Sequence, residues 1–419
     1  MTATSPEASS TKFIGLLAQR KYADASAMFD EKVAAGLPTP KLEETWAGLE
    51  QALGAFKEPG APRREDTGPY RVVVVPCVFQ GGSLDATIAW DDKGRISGLF
   101  FRPPQGEYAP PSYAKGDLVK RAITVGEDPW KLPGELVLPP GTGPFPAIVL
   151  VHGSGPGDRN ESVGPNRPFE DLALGLASKG IAVLRYDKRT RVHARALGPV
   201  IGTFTVKEET LEDAARAVEL LRKDPAIDPA RVFVLGHSLG GQLAPRIAEA
   251  DAKLAGIVIV AGSTGMVGDA IVRQTEYILR LDGDLTPDET AKLEPLKKQN
   301  ERHQAILGGA EAPDTEVIFG AAPAYWRDLA HYDAPVVAAK LDCRVLVLQG
   351  ERDYQVTMSD FGAWKKALDG KPKAKLQTYP KLNHLMIPGD GPSGPEEYKL
   401  ASHVDEAVVS DVAAWILAR

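Results

Sequence analysis

The stretch RVFVLGHSLGGQL, from Arg231 to Leu243, decides the fold. Its apolar run ends in Gly-His-Ser-Leu-Gly-Gly, and a helical pattern follows at once in LGGQLAPRIAEA. Ser238 has one glycine two residues before it and another two residues after it, which fits the pattern G-x-S-x-G. A sharp turn from strand to helix crowds those two positions, so glycine is required there. We predict a buried strand whose end presents the Ser238 hydroxyl above a sheet; a glycine-rich turn with an incidental serine is the weaker alternative.

Apolar runs and helical patterns alternate from about residue 119 to the end of the chain. Five of the runs, PFPAIVLVHG, GIAVLRYD, RVFVLGH, AGIVIVAG and RVLVLQG, are continuous, as buried parallel strands require. The alternation stops once, in a polar and helical stretch at about 263–335. The pattern predicts an α/β fold over 119–419, with a mostly parallel central sheet, helices on both faces and a helical cap insertion at about 263–335.

Residues 1–102 have a different pattern. Helical spacing of apolar residues from Thr11 to Lys57 is followed by three strand-like segments separated by turns. We expect a small N-terminal α+β domain at 1–102 and a Pro-rich linker at 103–118, in PPQGEYAPPSYAKGD. No motif assigns a role to this domain. Covering the mouth of the site, self-association into a homo-oligomer and simple packing on the sheet all stay open.

Composition limits the partners of this chain. Its 419 residues have a net charge of -7, and no basic tract suits a nucleic acid or a membrane surface. No segment approaches the roughly 20 apolar residues of a membrane helix. Two cysteines, far apart, suggest no metal site. We expect a small-molecule substrate, no cofactor, no metal, no nucleic acid and no membrane. The first residues lack the pattern of a signal peptide, which favours a cytoplasmic location; a signal removed from a longer precursor stays an alternative.

A serine hydroxyl is a poor nucleophile unless a base takes its proton. Of seven histidines, His384 is the predicted base, because it follows the strand-like KLQTYP in a loop before the last helix. Such a loop lies at the carboxyl edge of the sheet. The other six precede the serine, fall in the predicted cap or, for His403, lie on the predicted final helix.

An acidic residue must orient that imidazole. Asp353 lies three residues after Gly350, which ends the strand-like RVLVLQG, so a short turn returns it over the strand end. Glu351 is the second choice and is expected to face solvent. The order Ser238, Asp353, His384 is the chain order typical of a strand-to-helix nucleophile on such a sheet.

A developing oxyanion needs two hydrogen-bond donors. The backbone N–H of Leu239, at the helix start, is one candidate. The second is expected from the glycine-rich loop HGSGPGDRN, with the Ser154 N–H first and Gly155 next. A plain turn is the alternative explanation of this loop.

Three stretches, VHGSGPGDRN, FEDLALGLASKGIAVLRYDKRT and IDPARVFVLGHSLGGQLAPRIA, resemble the α/β-hydrolase superfamily. They are most similar to a bacterial serine carboxylesterase branch whose members often carry a small N-terminal domain of unassigned function. The resemblance covers most of the chain. It implies an α/β-hydrolase fold and carboxylesterase action on short acyl esters, with Ser238 as nucleophile, Asp353 as acid and His384 as base. One departure is KRTR at 188–191, where many members have a glycine-rich turn.

Other functions stay open. A serine peptidase or amidase, a thioesterase or an acyltransferase would use the same triad. A non-catalytic binding protein is a weaker alternative, because the triad is complete. A peptidase of this fold usually carries a large gating domain, and residues 1–115 are too few for a propeller.

Two further groups of residues have two alternative interpretations each. Arg159 and Asp187 are expected to pair beneath the glycine-rich loop HGSGPGDRN (152–160), which we call the oxyanion loop. A structural contact is preferred over a role in substrate binding. Aromatic residues of the predicted cap could line an acyl pocket or form the cap's own core: Tyr277, Phe319, Tyr325, Trp326 and Tyr332.

Overall fold

The computed structural model describes residues 5–65, 71–102 and 108–418. The chain divides into two compact units, Met1–Glu107 and Tyr108–Arg419. Residues 103–107 of the predicted linker lie outside the described residues.

The first unit is a small α+β domain, as the sequence predicts. Within residues 5–65 and 71–102, its helices are α1 (Pro6–Ala18), α2 (Tyr22–Ser26), α3 (Glu31–Gly36) and α4 (Thr39–Leu53). Its strands are β1 (Phe56–Pro59), β2 (Arg63–Arg64), β3 (Arg71–Phe79), β4 (Ser83–Trp90) and β5 (Ile96–Arg102). The sheet is antiparallel in the order β1-β3-β4-β5, and β2 also pairs with β3. β3, β4 and β5 are the three predicted strands.

Alternating residues of that sheet face the helices and form one apolar core. Phe13 and Leu17 of α1 and Trp46 of α4 are fully buried there, against residues of β3 and β4 such as Val75 and Ile88. The short strands β1 and β2 were not predicted, because neither is long enough to show an alternating pattern.

The second unit carries a larger sheet. In the described residues from 108 onward, its strands are β6 (Val119–Val125), β7 (Leu132–Leu138), β8 (Phe145–Val151), β9 (Ala182–Tyr186), β10 (Ile227–His237), β11 (Gly256–Val260), β12 (Arg344–Gly350) and β13 (Ala374–Tyr379). The order is β13-β12-β11-β10-β8-β9-β7-β6. β8 to β13 are parallel, and β7 is antiparallel to both of its neighbours, β6 and β9. β8, β9, β11 and residues 232–237 of β10 are buried almost throughout, which explains their continuous apolar runs.

Helices cover this sheet and extend beyond it. They are α5 (Pro168–Ser178), α6 (Arg189–Val192), α7 (Ala194–Leu197), α8 (Glu212–Lys223), α9 (Leu239–Ala250), α10 (Val267–Leu279), α11 (Pro287–Leu307), α12 (Pro323–Ala330), α13 (Ala334–Ala338), α14 (Met358–Leu368) and α15 (Glu406–Leu417). A π-helical turn, Lys207–Leu211, leads into α8. α10 to α13 lie between β11 and β12, in the stretch predicted to be a cap insertion, and we call these four helices the cap. Because loops after β8, β10, β12 and β13 leave the sheet at the same edge, residues far apart in sequence meet there.

The linker prediction is wrong for residues 108–118, which belong to the second unit. The Tyr113 side chain is 8% exposed, and its hydroxyl donates to the Val404 carbonyl at 2.7 Å. A Cβ built on Gly175 of α5 would lie 2.8 Å from the Tyr113 ring, so the ring rests directly on that helix. The prolines suggested a linker, whereas two tyrosines fasten the segment, since the Tyr108 hydroxyl also donates to Asp171 at 2.7 Å.

The prediction that His403 lies on the final helix is also wrong. α15 begins at Glu406, and Asp405 caps it by accepting from the Ala407 N–H. His403 lies before the cap, where its Nδ1 is 3.0 Å from a carboxylate oxygen of Asp171. The helix starts late because Asp171 also accepts the N–H of the next residue, Val404.

The burial of Tyr113 leads to a stability prediction. Tyr113→Ala removes a buried ring and leaves the Val404 carbonyl without its donor, so the free energy of unfolding should fall by about 3–5 kcal/mol. Urea denaturation measures it, with Ser112→Ala, at an exposed neighbour, as the control. Equal stability of the two variants would contradict this placement and favour a loose linker.

Candidate active site

The turn around Ser238 has the geometry that its glycines predict. β10 ends at His237, α9 begins at Leu239, and Ser238 between them has φ 55° and ψ -116°. A non-glycine residue in this region costs about 1–3 kcal/mol, so the surrounding structure must hold it in place. The Ser238 N–H donates to Val260 of β11 at 3.0 Å, and the Ser238 carbonyl accepts from Gln242 at 3.0 Å. The turn is thus fixed to the sheet on one side and to the helix on the other.

Both predicted glycines are required by backbone crowding. A Cβ on Gly236 would overlap the carbonyl of Gly240, across the turn. A Cβ on Gly240 would overlap the carbonyl of Val151, at the end of β8. The strand and the helix therefore approach each other too closely for any side chain at these two positions.

The predicted acid and base are in contact. His384 Nδ1 lies 2.7 Å from Asp353 Oδ2, and both side chains are buried. Asp353 is itself held firmly, since its Oδ1 accepts the N–H groups of Gln355 and Val356 at 2.8 and 2.9 Å. Gln349 Nε2 donates to Oδ2 at 3.2 Å. This arrangement orients the imidazole with Nδ1 toward the carboxylate, which leaves Nε2 as the nitrogen able to exchange a proton.

The second choice for the acid lies elsewhere. Glu351 is exposed, as expected, and accepts from the Thr378 hydroxyl at 2.7 Å. The loop that carries the imidazole instead closes over Gly350, where a Cβ would overlap the carbonyl of Leu382. This close approach brings the loop after β13 onto the end of β12.

A buried pair that was not predicted joins the strand-to-helix turn at Ser238, which we call the elbow, to two loops. His237 Nδ1 lies 3.0 Å from a carboxylate oxygen of Glu161, and His237 Nε2 donates to the His384 carbonyl at 2.9 Å. The other oxygen of Glu161 accepts the Gly153 N–H at 2.6 Å. A Cβ on Gly153 would lie 3.1 Å from Ser238 Cβ, so the oxyanion loop touches the serine. The pair therefore connects the oxyanion loop, the elbow and the loop of His384.

Each partner of this pair favours the charged form of the other. Burial by itself would raise the pKa of Glu161, but the charge of His237 and the hydrogen bonds lower it below the ordinary range. Burial would likewise lower the pKa of His237, but the charge of Glu161 raises it above its usual value. The sequence offers one weak signal for this pair, an acidic residue in the loop that follows the glycines.

Arg159 and Asp187 pair as expected. The Arg159 guanidinium lies 2.8 Å from one Asp187 oxygen, and the Arg159 N–H donates to the other at 2.8 Å. Within the same loop, Asp158 accepts the N–H groups of Asn160 and Ser162, each at 3.0 Å. These contacts hold the loop in one shape, which agrees with the structural reading of the pair.

A cavity of about 220 Å³ lies between α9 and the cap. Gln242, one helical turn after Ser238, forms part of its wall, and Trp326 and Leu329 of α12 lie on the cap side. His303 also lines it, and neither of its ring nitrogens has a hydrogen-bond partner among the described residues. Burial lowers the pKa of His303, so its imidazole is neutral near pH 7.

The aromatic residues of the cap were predicted either to line an acyl pocket or to form the cap's own core, and the structure shows some of each kind of contact. Tyr325 and Trp326 pack with Leu239 and Leu243 of α9 in one apolar cluster, and Phe319 packs against it. Tyr277 stacks on Tyr354, at 5.1 Å between ring centroids. Trp326 and Tyr332 also line the cavity. Most of these rings therefore fasten the cap to the sheet unit, and two face the cavity.

Within the described ranges, no cluster of three or more His, Cys, Asp or Glu side chains is placed to hold a metal ion. Nor does any helix of these ranges combine the length and the apolar character needed to cross a membrane.

The Glu161–His237 pair makes stability depend on pH. Below the ordinary pKa of histidine, the raised pKa of His237 gives its full stabilisation, which is lost as pH rises through that raised pKa. Glu161→Gln should therefore lower the free energy of unfolding most near pH 6, by about 1–3 kcal/mol, and less at alkaline pH. Denaturation at several pH values tests this, with Glu351→Gln, at an exposed carboxylate, as the control. A deficit that stays constant across the pH range would contradict ionisation of the pair.

Comparison with known proteins gives two family matches. Residues 148–398 match the α/β-hydrolase family, and residues 10–99 match a family described as protein of unknown function (DUF3887). Esterase EstD of Thermotoga maritima is 37% identical over 408 residues, which cover 97% of this chain and 94% of that protein.

Two more distant matches cover part of the chain. Acyl-coenzyme A thioesterase 1 of Rattus norvegicus is 25% identical over 262 residues, and the chain spans about half of its length, 51%. Est1E from Butyrivibrio proteoclasticus is a solved structure with a TM-score of 0.46 and 19% identity, covering 71% of this chain and 99% of that one. The match to residues 148–398 spans more than half of the chain and contains the elbow, Asp353 and His384. This protein belongs to the α/β-hydrolase family.

Proposed function

We propose that this protein is a serine carboxylesterase that cleaves short-chain acyl esters through an acyl-enzyme. Ser238 is the nucleophile, His384 the base and Asp353 the residue that orients it. The observation that carries the proposal is the buried His384–Asp353 contact of 2.7 Å, on a loop joined through His237 to the strained turn at Ser238. Esterase EstD, which aligns along almost the whole chain, supports the substrate class.

The first half of the reaction forms the acyl-enzyme. His384 Nε2 takes the proton of the Ser238 hydroxyl while Oγ attacks the ester carbonyl carbon. The carbonyl oxygen becomes an oxyanion. When the tetrahedral intermediate collapses, the bond to the alcohol oxygen breaks and His384 gives its proton to the leaving alcohol. The buried Asp353 carboxylate stabilises the imidazolium between these two transfers.

The second half of the reaction hydrolyses the acyl-enzyme and regenerates the free enzyme. His384 removes a proton from water, which attacks the acyl carbonyl, and the same imidazole then protonates Ser238 Oγ as the acid leaves. These steps use the groups of the chain and water. The cavity beside Gln242 is proposed to receive one group of the ester, because it lies one helical turn from the nucleophile.

The proposed oxyanion donors are the N–H groups of Leu239 and Ser154. Leu239 is the first residue of α9, so its N–H is one of those that a helix start leaves without an intrahelical partner. In the oxyanion loop, the Gly153 N–H already donates to Glu161, which makes the next amide, that of Ser154, the better candidate. Ser154 directly follows Gly153, the glycine that touches Ser238.

A thioester substrate is the second candidate. Acyl-coenzyme A thioesterases of mammals match part of the chain, with 25% identity for the rat protein over 60% of this chain. The same two half-reactions would release a thiol in place of an alcohol. The higher identity and coverage of Esterase EstD favour the oxygen ester.

Hydrolysis of p-nitrophenyl esters with acyl chains from two to sixteen carbons tests the proposal, beside matched acyl thioesters. We expect turnover of the short oxygen esters and a decline once the acyl chain outgrows the cavity. Ser238→Ala should lower kcat by roughly 10⁶-fold with no loss of fold, because the triad acts as a unit.

Ser359→Ala, at an exposed serine of α14 outside the proposed site, serves as the control and should retain activity. Thioester turnover far above ester turnover would favour the second candidate. Ester turnover that persists in Ser238→Ala would contradict the proposed nucleophile.

A further inference from the structure

Lys188 is buried beside the oxyanion loop. Its side chain is 2% exposed, and its Nζ donates to the Gly153 carbonyl at 2.8 Å. The same Nζ lies 3.1 Å from a carboxylate oxygen of Glu209, which is buried as well. A lysine is rarely buried to this extent unless it is paired, because removing its charge from water is costly.

The carbonyl that Lys188 contacts belongs to the same peptide group as the proposed oxyanion donor, the Ser154 N–H; we call this group the oxyanion peptide. The Gly153 carbonyl and the Ser154 N–H belong to one planar peptide group, and in the trans form they point in opposite directions. A contact that fixes the carbonyl therefore fixes the direction of the N–H. A cation on the carbonyl also draws electron density from the amide, which makes the N–H a stronger donor.

The preceding peptide is held by a charge of the opposite sign. The Gly153 N–H donates to the Glu161 carboxylate at 2.6 Å, so the two peptides that flank Gly153 contact an anion on one side and a cation on the other. This glycine has no side chain to fix its own dihedral angles. The two charged groups supply the constraint that the glycine lacks.

Lys188 is also connected to the cap. The other carboxylate oxygen of Glu209 accepts from the Tyr325 hydroxyl of α12 at 2.6 Å. The Lys188 N–H donates to the Gly157 carbonyl at 3.1 Å, which ties the lysine's own backbone to the oxyanion loop. A continuous chain of polar contacts thus runs from the cap through Glu209 and Lys188 to the oxyanion peptide.

We propose that Lys188 is a positioning residue for ester hydrolysis, whose ammonium group orients and polarises the Gly153–Ser154 peptide so that the Ser154 N–H faces the oxyanion. The proposal rests on the proposed function. Since the oxyanion forms only on the way to the tetrahedral intermediate, the contribution of Lys188 falls on kcat and leaves KM nearly unchanged. A lysine that merely neutralises Glu209 would affect stability, and activity only through stability.

Two variants separate these roles. Lys188→Met removes the ammonium at similar length and leaves Glu209 unpaired in a buried site. Lys188→Met/Glu209→Gln removes both charges and keeps an acceptor for Tyr325. We expect both variants to lose about 10- to 100-fold in kcat for p-nitrophenyl acetate, less than the removal of a whole oxyanion donor. The single variant should also unfold at a lower temperature, and the double variant should recover much of that loss.

A second readout does not depend on the ester. A fluorophosphonate phosphonylates Ser238, and its phosphoryl oxygen occupies the oxyanion site, so the second-order rate of labelling should fall in both Lys188 variants by a similar factor. Lys131→Met, at an exposed lysine, should match the wild type in every measurement.

The outcomes are distinct. Recovery of wild-type kcat and labelling rate together with stability in the double variant would overturn the proposal and leave Lys188 a structural ion pair. Wild-type rates in Lys188→Met would also overturn it. If the fluorophosphonate labels Ser238 of the wild type but the wild type cleaves no ester, the proposed substrate class is wrong. The labelling rates of the variants then still decide the role of Lys188. A wild type that neither labels nor cleaves would overturn both proposals.

Discussion

The backbone at Ser238 is the constraint on which the rest of the site depends. β10 passes into α9 through a single residue, and that residue adopts a φ of 55°. The turn is possible because Gly236 carries no side chain where β10 meets α9, and Gly240 carries none where α9 meets the end of β8. It lies at the centre of the sheet, between β8 and β11, so the loop after β8 must pass next to it. Gly153 of that loop comes so close to Ser238 that a side chain there would crowd the serine.

Two carboxylate–imidazole pairs hold the loops that surround this turn. Asp353 holds His384 by its side chain, and the Glu161–His237 pair holds the His384 backbone and the Gly153 amide. The second pair is adjacent to the nucleophile in sequence but performs none of the proposed proton transfers. Its buried charges constrain three loops that leave the sheet from β8, β10 and β13. Such fixed dipoles and charges spare an enzyme the cost of reorganising its surroundings as charge develops.

Local patterns predicted most of the fold, and they singled out Asp353 and His384, whose side chains are in contact. The elbow is visible in sequence because strand, glycines and helix follow one another within 13 residues, and the buried parallel strands are visible as apolar runs. Glu161, Lys188 and Tyr113 could not be assigned, because their partners are distant along the chain: Lys188 lies 35 residues from Gly153, and Tyr113 lies 291 residues from Val404. The proline content of 108–118 suggested a linker, since nothing local shows that Tyr113 reaches a buried carbonyl. His403 was placed on the last helix because the apolar spacing does not reveal the cap at Asp405.

The central claim, that Ser238 carries the acyl group during turnover, is tested most directly by trapping that intermediate. An aryl carbamate should transfer its carbamoyl group to the enzyme and be hydrolysed from it slowly, so the adduct accumulates. After digestion, mass spectrometry should find one carbamoyl group per chain on Ser238, and esterase activity should fall in proportion to its occupancy. A carbamoyl group on another residue, or full esterase activity with Ser238 carbamoylated, would contradict the account.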